Sequence, residues 1–246
     1  MVEAVTFDWW YTIANPPPDG AEYQRRAREM RVGGMLGVLE EEGIPVTRER
    51  LFEAYDRFTD DIAAIWKRNV DLTGEEQLAL ILRHAGVRKT ANRNLLSKLA
   101  EPFERVLFEL LPTLNNGISD CLSQIEADGH KIGIISNTGR TWGRYLREIQ
   151  KKLGIFQFFD VFSFSDEIGV RKPEPAIFRR TLEGLGVPPE AVVHIGDDSM
   201  ADVGGAAAVG MKTVWYDNPV SPNERGRKAD AETSEFSKLP AIIRGL

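Results

Sequence analysis

The sequence predicts an α/β fold in which a Rossmann-like parallel sheet forms the core and an all-helical four-helix cap domain is inserted into it. The first observation is that short runs rich in β-branched residues alternate with helical stretches from residue 131 onward. This alternation is typical of a parallel sheet covered by helices on both faces. The second observation is that apolar residues recur at helical spacing through most of the preceding segment.

The N-terminal part of the chain predicts one strand followed by helices. Residues 2–7 (VEAVTF) are mostly apolar and predict a buried strand, and Asp8 follows it directly. Gly, Pro, Thr and Asn then separate the helical patterns, which lie at residues 22–42, 48–68, 75–84 and 92–108. Helices of this number and length suit a small bundle.

Two segments with turn-forming residues, PPPDG and LPTLNNG, bound the helical patterns. Such segments are suited to act as hinges between two packed units. The sequence therefore predicts that residues 1–15 and 112–246 form the Rossmann-like core, whereas residues 16–111 form the helical cap.

The elements after the second hinge complete the predicted sheet. A helix at residues 118–127 is followed by strand 131–136, helix 142–153, strand 160–165, helix 175–185, strand 191–196, a further helix and strand 211–216. The last part of the chain predicts a polar loop at residues 221–231 and a short closing helix at residues 234–243.

Composition excludes several classes of protein. Hydrophobic residues make up 42% and charged residues 28% of the chain, which is typical of a soluble globular enzyme. The formal net charge is -6 and no dense block of Lys and Arg is present, so we expect no nucleic-acid partner. No apolar run approaches the roughly 18 residues of a membrane span. We therefore expect a cytoplasmic monomer or homodimer without a membrane partner.

Polar residues stand where the predicted strands end. They are Asp8, Ser136 with Asn137, and Asp197 with Asp198. Lys172 stands in the loop GVRKPEP just before a predicted helix. Ligands of open parallel sheets bind outside the carboxyl ends of the strands. We therefore expect these side chains to converge on one crevice.

The order and spacing of these residues resemble the haloacid dehalogenase superfamily over essentially the whole core, from FDWWYT to GMKTV. The four motifs of that family are Asp-x-x-x-Thr, a Ser or Thr that ends an apolar strand, a Lys often before Pro, and Gly-Asp-x-x-x-x-Asp. In this chain they correspond to Asp8 with Thr12, to Ser136, to Lys172, and to Gly196 with Asp197 and Asp202. The resemblance implies the fold predicted above, with a cap that closes over the site.

The resemblance implies hydrolysis through a covalent intermediate on Asp8. A carboxylate nucleophile divides one difficult displacement into two easier steps. Lys172 is the second catalytic residue that the resemblance implies, since its charge would offset the negative charge of a transferred phosphoryl group. Substrate-binding roles are implied for Ser136, Asn137, Thr12 and Lys172.

The resemblance also implies a Mg²⁺ cofactor. A hard cation would remove the repulsion between an anionic nucleophile and an anionic phosphate. Its implied ligands are Asp8, the backbone carbonyl oxygen of Trp10 and Asp197. Asp202 would support the ligand shell from behind, and Asp198 is an additional candidate ligand.

Trp10 departs from the family pattern. Phosphatases of the family carry at this position a second Asp, which acts as general acid and then as general base, and an indole cannot exchange a proton near neutral pH. Dehalogenases of the family carry Tyr there, because a halide leaves without a proton, but they need no metal and usually lack the Gly-Asp pair. The acidic residues of the fourth motif favour a magnesium-dependent phosphohydrolase acting on a small phosphomonoester.

Two alternatives to the phosphohydrolase stay open. The first is a metal-independent hydrolase similar to 2-haloacid dehalogenases, which would take a small halogenated substrate. The second is a binding protein that has the fold but little turnover, because a fold does not imply an activity. Trp10 is the reason to keep both.

Overall fold

The computed structural model describes residues 1–18, 20–87 and 92–246. Within them the strands are β1 (Ala4–Phe7), β2 (Ala14–Asn15), β3 (Thr113–Leu114), β4 (Lys131–Ser136), β5 (Val161–Phe164), β6 (Val192–Gly196), β7 (Lys212–Tyr216) and β8 (Ala231–Thr233). The helices are α1 (Gly20–Glu41), α2 (Arg48–Trp66), α3 (Gly74–His84), α4 (Arg93–Glu104), α5 (Val106–Glu109), α6 (Ile118–Ala127), α7 (Gly143–Lys152), α8 (Ser165–Ile168), α9 (Pro175–Leu185), α10 (Gly205–Ala208) and α11 (Leu239–Gly245).

A six-stranded sheet in the order β5-β4-β1-β6-β7-β8 forms the centre of the molecule, and each neighbouring pair runs parallel. β1 and β6 are buried along their whole length, which explains why AVTF and VVHIG read as continuous rather than alternating patterns. The predicted fold class is therefore confirmed. None of the described helices combines the length and apolar character needed to cross a bilayer.

The helices α1 to α4 pack around an apolar cluster that is distinct from the clusters of the sheet. Met35, Phe58, Leu82 and Leu99 are completely buried in it. The helices α2, α3 and α4 begin at side-chain caps, and α3 has a capping box in which Thr73 and Glu76 satisfy each other's backbone donors. Local sequence and packing thus both favour the formation of these helices.

The chain passes between sheet and helices at two points that lie side by side. β2 and β3 pair there as a two-stranded antiparallel sheet. Asn15 Nδ2 donates a hydrogen bond of 2.7 Å to Asn115 Oδ1, and Asn115 Nδ2 donates one of 2.7 Å to the carbonyl oxygen of Thr12. Strands of two residues carry no alternation that the sequence could reveal.

The helix expected at residues 92–108 and the two C-terminal elements differ from the structure. The single helix expected at residues 92–108 is divided at Arg105 into α4 and α5. The buried Val106 and Leu107 continue the apolar spacing across the break and so conceal it. The expected loop and closing helix contain β8, a 3₁₀ turn at Phe236–Lys238 and then α11.

Candidate active site

The strand order brings three motif residues to one edge of the sheet. β1 lies between β4 and β6, so Asp8 after β1 stands between Ser136, which ends β4, and Asp197 after β6. The Asp8 amide donates a hydrogen bond of 2.9 Å to the carbonyl oxygen of Ile195 and so extends the sheet pairing by one residue. Asp8 therefore sits on rigid backbone, and only 8% of its surface is exposed.

Lys172 reaches into this edge of the sheet and contacts two carboxylates. Its Nζ lies 2.7 Å from Asp8 Oδ1 and 2.5 Å from Asp202 Oδ1. Burial alone would lower the pKa of Lys172, but the charges of Asp202 and Asp8 outweigh burial and raise it above the ordinary value. The lysine is therefore charged.

Asn137 holds the backbone of the lysine. Its Oδ1 accepts a hydrogen bond of 2.8 Å from the amide of Lys172, and its Nδ2 donates one of 3.2 Å to the carbonyl oxygen of Lys172. Both ends of the side-chain amide are thus engaged with the loop that carries the lysine. Asn137 also lines a pocket beside the loop after β4.

Asp8, Asp197 and Asp202 form a buried acidic group in which one carboxylate oxygen of each lies within 4.8 Å of the others. Burial raises the pKa of Asp8 to about 8, against the opposing charge of Lys172. Burial and the neighbouring Asp202 raise the pKa of Asp197 to about 6. Burial would raise that of Asp202 also, but Lys172 and His194 outweigh it and hold its pKa at about 2.

Three side chains hold the carboxylate of Asp197. Thr12 Oγ1 donates to Oδ1 at 3.2 Å, and Ser221 Oγ and Asn223 Nδ2 donate to Oδ2 at 2.5 Å and 2.8 Å. Thr12 is completely buried and is not among the residues that line the pocket. The structure thus places Thr12 against Asp197. Ser221 and Asn223 come from the predicted polar loop, where no motif marks them.

Asp202 is fixed from three sides. Its Oδ1 lies 3.1 Å from His194 Nε2 as well as close to Lys172, and its Oδ2 accepts a hydrogen bond of 3.0 Å from the Asp198 amide. A Cβ atom on Gly196 would lie 2.2 Å from Asp202 Cγ. This close approach explains why glycine precedes the first acid of the motif.

Asp198 lies outside the acidic group. Its Oδ1 accepts hydrogen bonds from the amides of Met200 and Ala201 at 2.8 Å and 2.9 Å, and so caps the turn that follows. The structure therefore does not bring this candidate ligand together with Asp8, Asp197 and Asp202.

The acidic group fits a hard divalent cation. Three carboxylates face one ammonium, which leaves uncompensated negative charge in a buried space. The donors are oxygens, which Mg²⁺ prefers. Within the described part of the chain, no hydrogen-bond donor contacts the carbonyl oxygen of Trp10, so that this oxygen is also available as a ligand.

Ser136 presents a buried hydroxyl that lacks a partner. The residue has no exposed surface, and its Oγ contacts no hydrogen-bonding group among the described residues. An unsatisfied buried hydroxyl costs about 1–3 kcal/mol. A ligand oxygen at the end of β4 would remove this cost.

A pocket of about 400 Å³ opens between the helical segment and the loop after β4. Its walls include the aromatic side chains of Trp10, Tyr11, Tyr23 and Trp66. No carboxyl or imidazole group is found among the described residues that line it. Trp10 thus lies in the wall of the pocket, and among the described wall residues no side chain is able to exchange a proton near neutral pH.

Tyr11 adopts a left-handed backbone conformation with φ of 56°. Residues other than glycine, asparagine and aspartate seldom occupy this region. The Tyr11 amide donates to the carbonyl oxygen of Ala14 at 2.8 Å, and Asn218 Nδ2 donates to the Tyr11 carbonyl oxygen at 2.5 Å. These contacts hold the turn that carries Trp10 and Tyr11 into the pocket.

Comparison with known proteins agrees with this geometry. The family model described as haloacid dehalogenase-like hydrolase matches residues 2–210. A protein of Methanothermobacter thermautotrophicus named glyceraldehyde 3-phosphate phosphatase is 26% identical over 232 residues, which are 92% of this chain and 90% of the relative.

Two solved structures resemble the whole chain. A 2-haloacid dehalogenase from Pseudomonas syringae pv. Tomato DC3000 has a TM-score of 0.69 at 23% identity and covers 100% of this chain and 99% of its own. A HAD phosphatase from Thermococcus onnurineus has a TM-score of 0.62 at 25% identity and covers 99% of both chains. The fold is thus shared with enzymes of both chemistries that the sequence left open.

Proposed function

The chain belongs to the haloacid dehalogenase-like hydrolase family, and from that membership we propose that it is a Mg²⁺-dependent phosphohydrolase of small phosphomonoesters. The observation that carries the proposal is the buried acidic group of Asp8, Asp197 and Asp202, whose charge Lys172 offsets only in part. A metal-independent dehalogenase has no use for this excess of carboxylates. The relative named glyceraldehyde 3-phosphate phosphatase supports a small phosphorylated substrate.

In the proposed reaction an Asp8 carboxylate oxygen attacks phosphorus, and the bond between phosphorus and the leaving oxygen breaks. Water then attacks phosphorus in the aspartyl-phosphate, which releases inorganic phosphate and restores the carboxylate. Lys172 and the Ser136 hydroxyl offset charge on the transferred group. Asn137 positions Lys172, and Thr12 positions Asp197.

Mg²⁺ would be held by Asp8, Asp197 and the Trp10 carbonyl oxygen, and Asp202 would support these ligands without contacting the metal. The ion would supply the positive charge that an anionic nucleophile needs near an anionic phosphate. Asp198 has no part in this proposal, because its side chain caps the following turn. We assign Thr12 to positioning Asp197 rather than to binding substrate, because its hydroxyl donates a hydrogen bond to that carboxylate.

We extend the proposal to the domain organisation. Residues 1–15 and 112–246 act as the catalytic core, and residues 16–111 act as a cap that shapes the pocket. The separate apolar cluster of α1 to α4 and the paired crossing of β2 and β3 support this division. The cap contributes Tyr23 and Trp66 to the pocket wall.

Trp10 restricts the substrates in this proposal. General acid–base help is worth about 10²–10⁴-fold, and neither Trp10 nor another described side chain of the pocket wall can supply it near neutral pH. Aryl phosphates, whose leaving groups need no proton, are therefore better substrates than alkyl phosphates.

A second candidate function is 2-haloacid hydrolysis. The observation that favours it is the aromatic Trp10 in the pocket wall, since a departing halide needs no proton. In that reaction an Asp8 carboxylate oxygen would attack the carbon that bears the halogen and displace halide. Water would then attack the carboxyl carbon of Asp8 and hydrolyse the ester to the hydroxy acid and free Asp8. The excess of buried carboxylates favours the phosphohydrolase.

One set of assays separates these functions. Aryl-phosphate and 2-haloacid hydrolysis are each measured with Mg²⁺ and with chelator, for the wild type and for Asp8→Asn. We expect phosphate release that requires both Mg²⁺ and Asp8. Halide release in chelator would support the dehalogenase, whereas no release of either product would favour a binding protein.

A further inference from the structure

Two arginines stand in the wall of the pocket, away from the acidic group. Arg31 lies on α1 and Arg140 lies in the loop between β4 and α7. Arg31 is only 4% exposed and Arg140 is half-buried. In the part of the chain that the structure describes, neither guanidinium forms a salt bridge with a carboxylate. Both therefore place positive charge in the pocket of an acidic protein.

The present hydrogen-bond partners of these arginines are neutral oxygens, and the Arg31 guanidinium also lies over the Phe103 ring at 5.1 Å. Arg31 donates from Nε to the carbonyl oxygen of Phe103 at 3.2 Å, from Nη1 to Tyr55 Oη at 3.3 Å and from Nη2 to the carbonyl oxygen of Arg140 at 3.3 Å. Arg140 Nη1 makes two long contacts of 3.4 Å, to Tyr55 Oη and Thr59 Oγ1. Each guanidinium has five N–H donors, so donors of both remain available to a ligand.

Arg171 and Lys172, in contrast, are paired with carboxylates. Arg171 is paired with the buried Asp71 at 2.7 Å, and Lys172 contacts Asp8 and Asp202. A buried charge without a counter-charge is costly, because the surrounding protein replaces water poorly. Arg31 and its neighbour Arg140 are thus exceptions that an anionic ligand would correct.

A purely structural role explains part of this arrangement. Arg31 links α1 to α4 and to the loop after β4, which holds the helical segment against the sheet. Such a link needs hydrogen bonds but no charge, and neutral amide side chains could supply it. Burial would raise the pKa of the shared Tyr55 hydroxyl, but Arg31 and Arg140 outweigh burial and lower it. The two positive charges therefore act on the same small space.

We propose that Arg31 and Arg140 bind a second anionic group of the substrate, a carboxylate or a phosphate. This group lies at the opposite end of the substrate from the group that reacts at Asp8. The identity of the reacting end rests on the proposed function. The same pocket is lined by Asn137 and Trp10 near the motif residues and by Tyr23 and Trp66 on the cap side. A small substrate with a flat or apolar body and two anionic ends suits these walls.

The test uses aryl phosphates of nearly equal shape that differ in charge. They are 3-carboxyphenyl phosphate, its neutral isostere 3-carbamoylphenyl phosphate, and 1,3-phenylene bisphosphate. With the wild type, charge-assisted hydrogen bonds are expected to raise kcat/KM for a substrate with two anionic ends at least about tenfold over the amide. The carboxylate and the bisphosphate arms show which anion is preferred.

Variants assign the preference to the two arginines. Arg140→Gln is expected to abolish the preference while leaving turnover of the amide within about twofold, since the loss concerns only contacts to the second anion. Arg31→Lys retains the charge and should retain part of the preference, and Arg31→Gln should not. Arg26→Gln, an exposed arginine on the same helix, is the matched control and should keep the full preference.

The outcomes separate this inference from the proposed function. Equal kcat/KM for the carboxylate, the bisphosphate and the amide would overturn the inference while leaving the phosphohydrolase intact. An equal loss on all substrates in Arg140→Gln would make the arginine structural and would overturn it too. If no aryl phosphate is hydrolysed, calorimetry with 3-hydroxybenzoate and 3-hydroxybenzamide still decides, because equal affinities would contradict the anion site.

Discussion

Two neighbouring regions of the candidate site have opposite character. One region, called the floor, lies at the carboxyl ends of β1 and β6 and gathers carboxylates around Lys172. The cap side gathers guanidinium groups and aromatic rings on helices and on the loop after β4. The floor carries an excess of negative charge and the cap side an excess of positive charge. Under the proposed function, the floor would bind the cation and the reacting group, whereas the residues of the cap side would select the substrate.

The largest expected effect concerns the floor alone. Asp8→Asn removes the nucleophile and is expected to lower kcat for an aryl phosphate by at least about 10³-fold. Affinity for 3-hydroxybenzoate, which would bind at the cap side, should change little in calorimetry. Asp217→Asn makes the same chemical change at an exposed position and should leave kcat unaltered. If Asp8→Asn lowered the affinity for 3-hydroxybenzoate as much as it lowered kcat, the floor and the cap side would not have separate roles.

Trp10 connects the two regions, so a change there tests both. Trp10→Asp would place a carboxyl group where the leaving oxygen departs and is expected to raise kcat/KM for alkyl phosphates by about 10²-fold. The ratio of aryl to alkyl phosphate rates should fall accordingly. Trp10→Phe removes the indole without adding an acid and serves as the control. A rise in Trp10→Phe as large as that in Trp10→Asp would mean that space, rather than proton transfer, limits the wild type.

Replacing a glycine by alanine tests how tightly the floor and helix α1 are packed. In Gly196→Ala the new methyl group would meet Asp202, so the substitution is expected to destabilise the protein by about 1–3 kcal/mol and to weaken Mg²⁺ binding. Gly37 lies on α1, and outside that helix no described atom lies within 4 Å of the place that an added methyl carbon would take. Gly37→Ala is therefore expected to stabilise the protein by about 0.5–1 kcal/mol. Urea unfolding of both variants measures the difference, and equal shifts would contradict it.

Protons and Mg²⁺ are expected to compete for the carboxylate of Asp8. Burial raises the pKa of Asp8 to about 8, so the metal-free carboxyl gains a proton as the pH falls below that value. Mg²⁺ affinity is therefore expected to fall with decreasing pH, by up to about tenfold per pH unit below the pKa. Calorimetry between about pH 6 and pH 9 measures this slope. Binding of 3-hydroxybenzoate to the guanidinium groups should be nearly flat over the same range, and a flat Mg²⁺ profile would contradict the account.

The parts that the sequence predicted share a cause. Asp8, Ser136 and Asp197 each follow or end an apolar strand, and parallel pairing brings such strand ends together whatever the loops between them do. The apolar periodicity of α1 to α3 likewise reports local structure directly, and their predicted bounds differ from the observed ones by two residues at most. The family resemblance then assigned chemistry to positions already expected to meet.

The parts that the sequence did not predict depend on long-range contacts. Ser221 and Asn223 hold Asp197 from a polar loop, and only the folded chain brings them there. Arg31 stands among other arginines of α1, and its burial against Phe103 and Arg140 is what distinguishes it. The sequence offers Asp198 as an additional candidate ligand, but its carboxylate accepts hydrogen bonds from the amides of the following turn.

The central claim is that Asp8 attacks the substrate without a general acid–base partner. The absent general base should slow hydrolysis of the aspartyl-phosphate more than its formation from an aryl phosphate, whose leaving group needs no proton. Rapid mixing with 3-carboxyphenyl phosphate and Mg²⁺ is therefore expected to give a burst of 3-hydroxybenzoate equal to the enzyme concentration, with phosphate bound to Asp8. A linear release of product without a burst, or a burst that survives Asp8→Asn, would contradict this account.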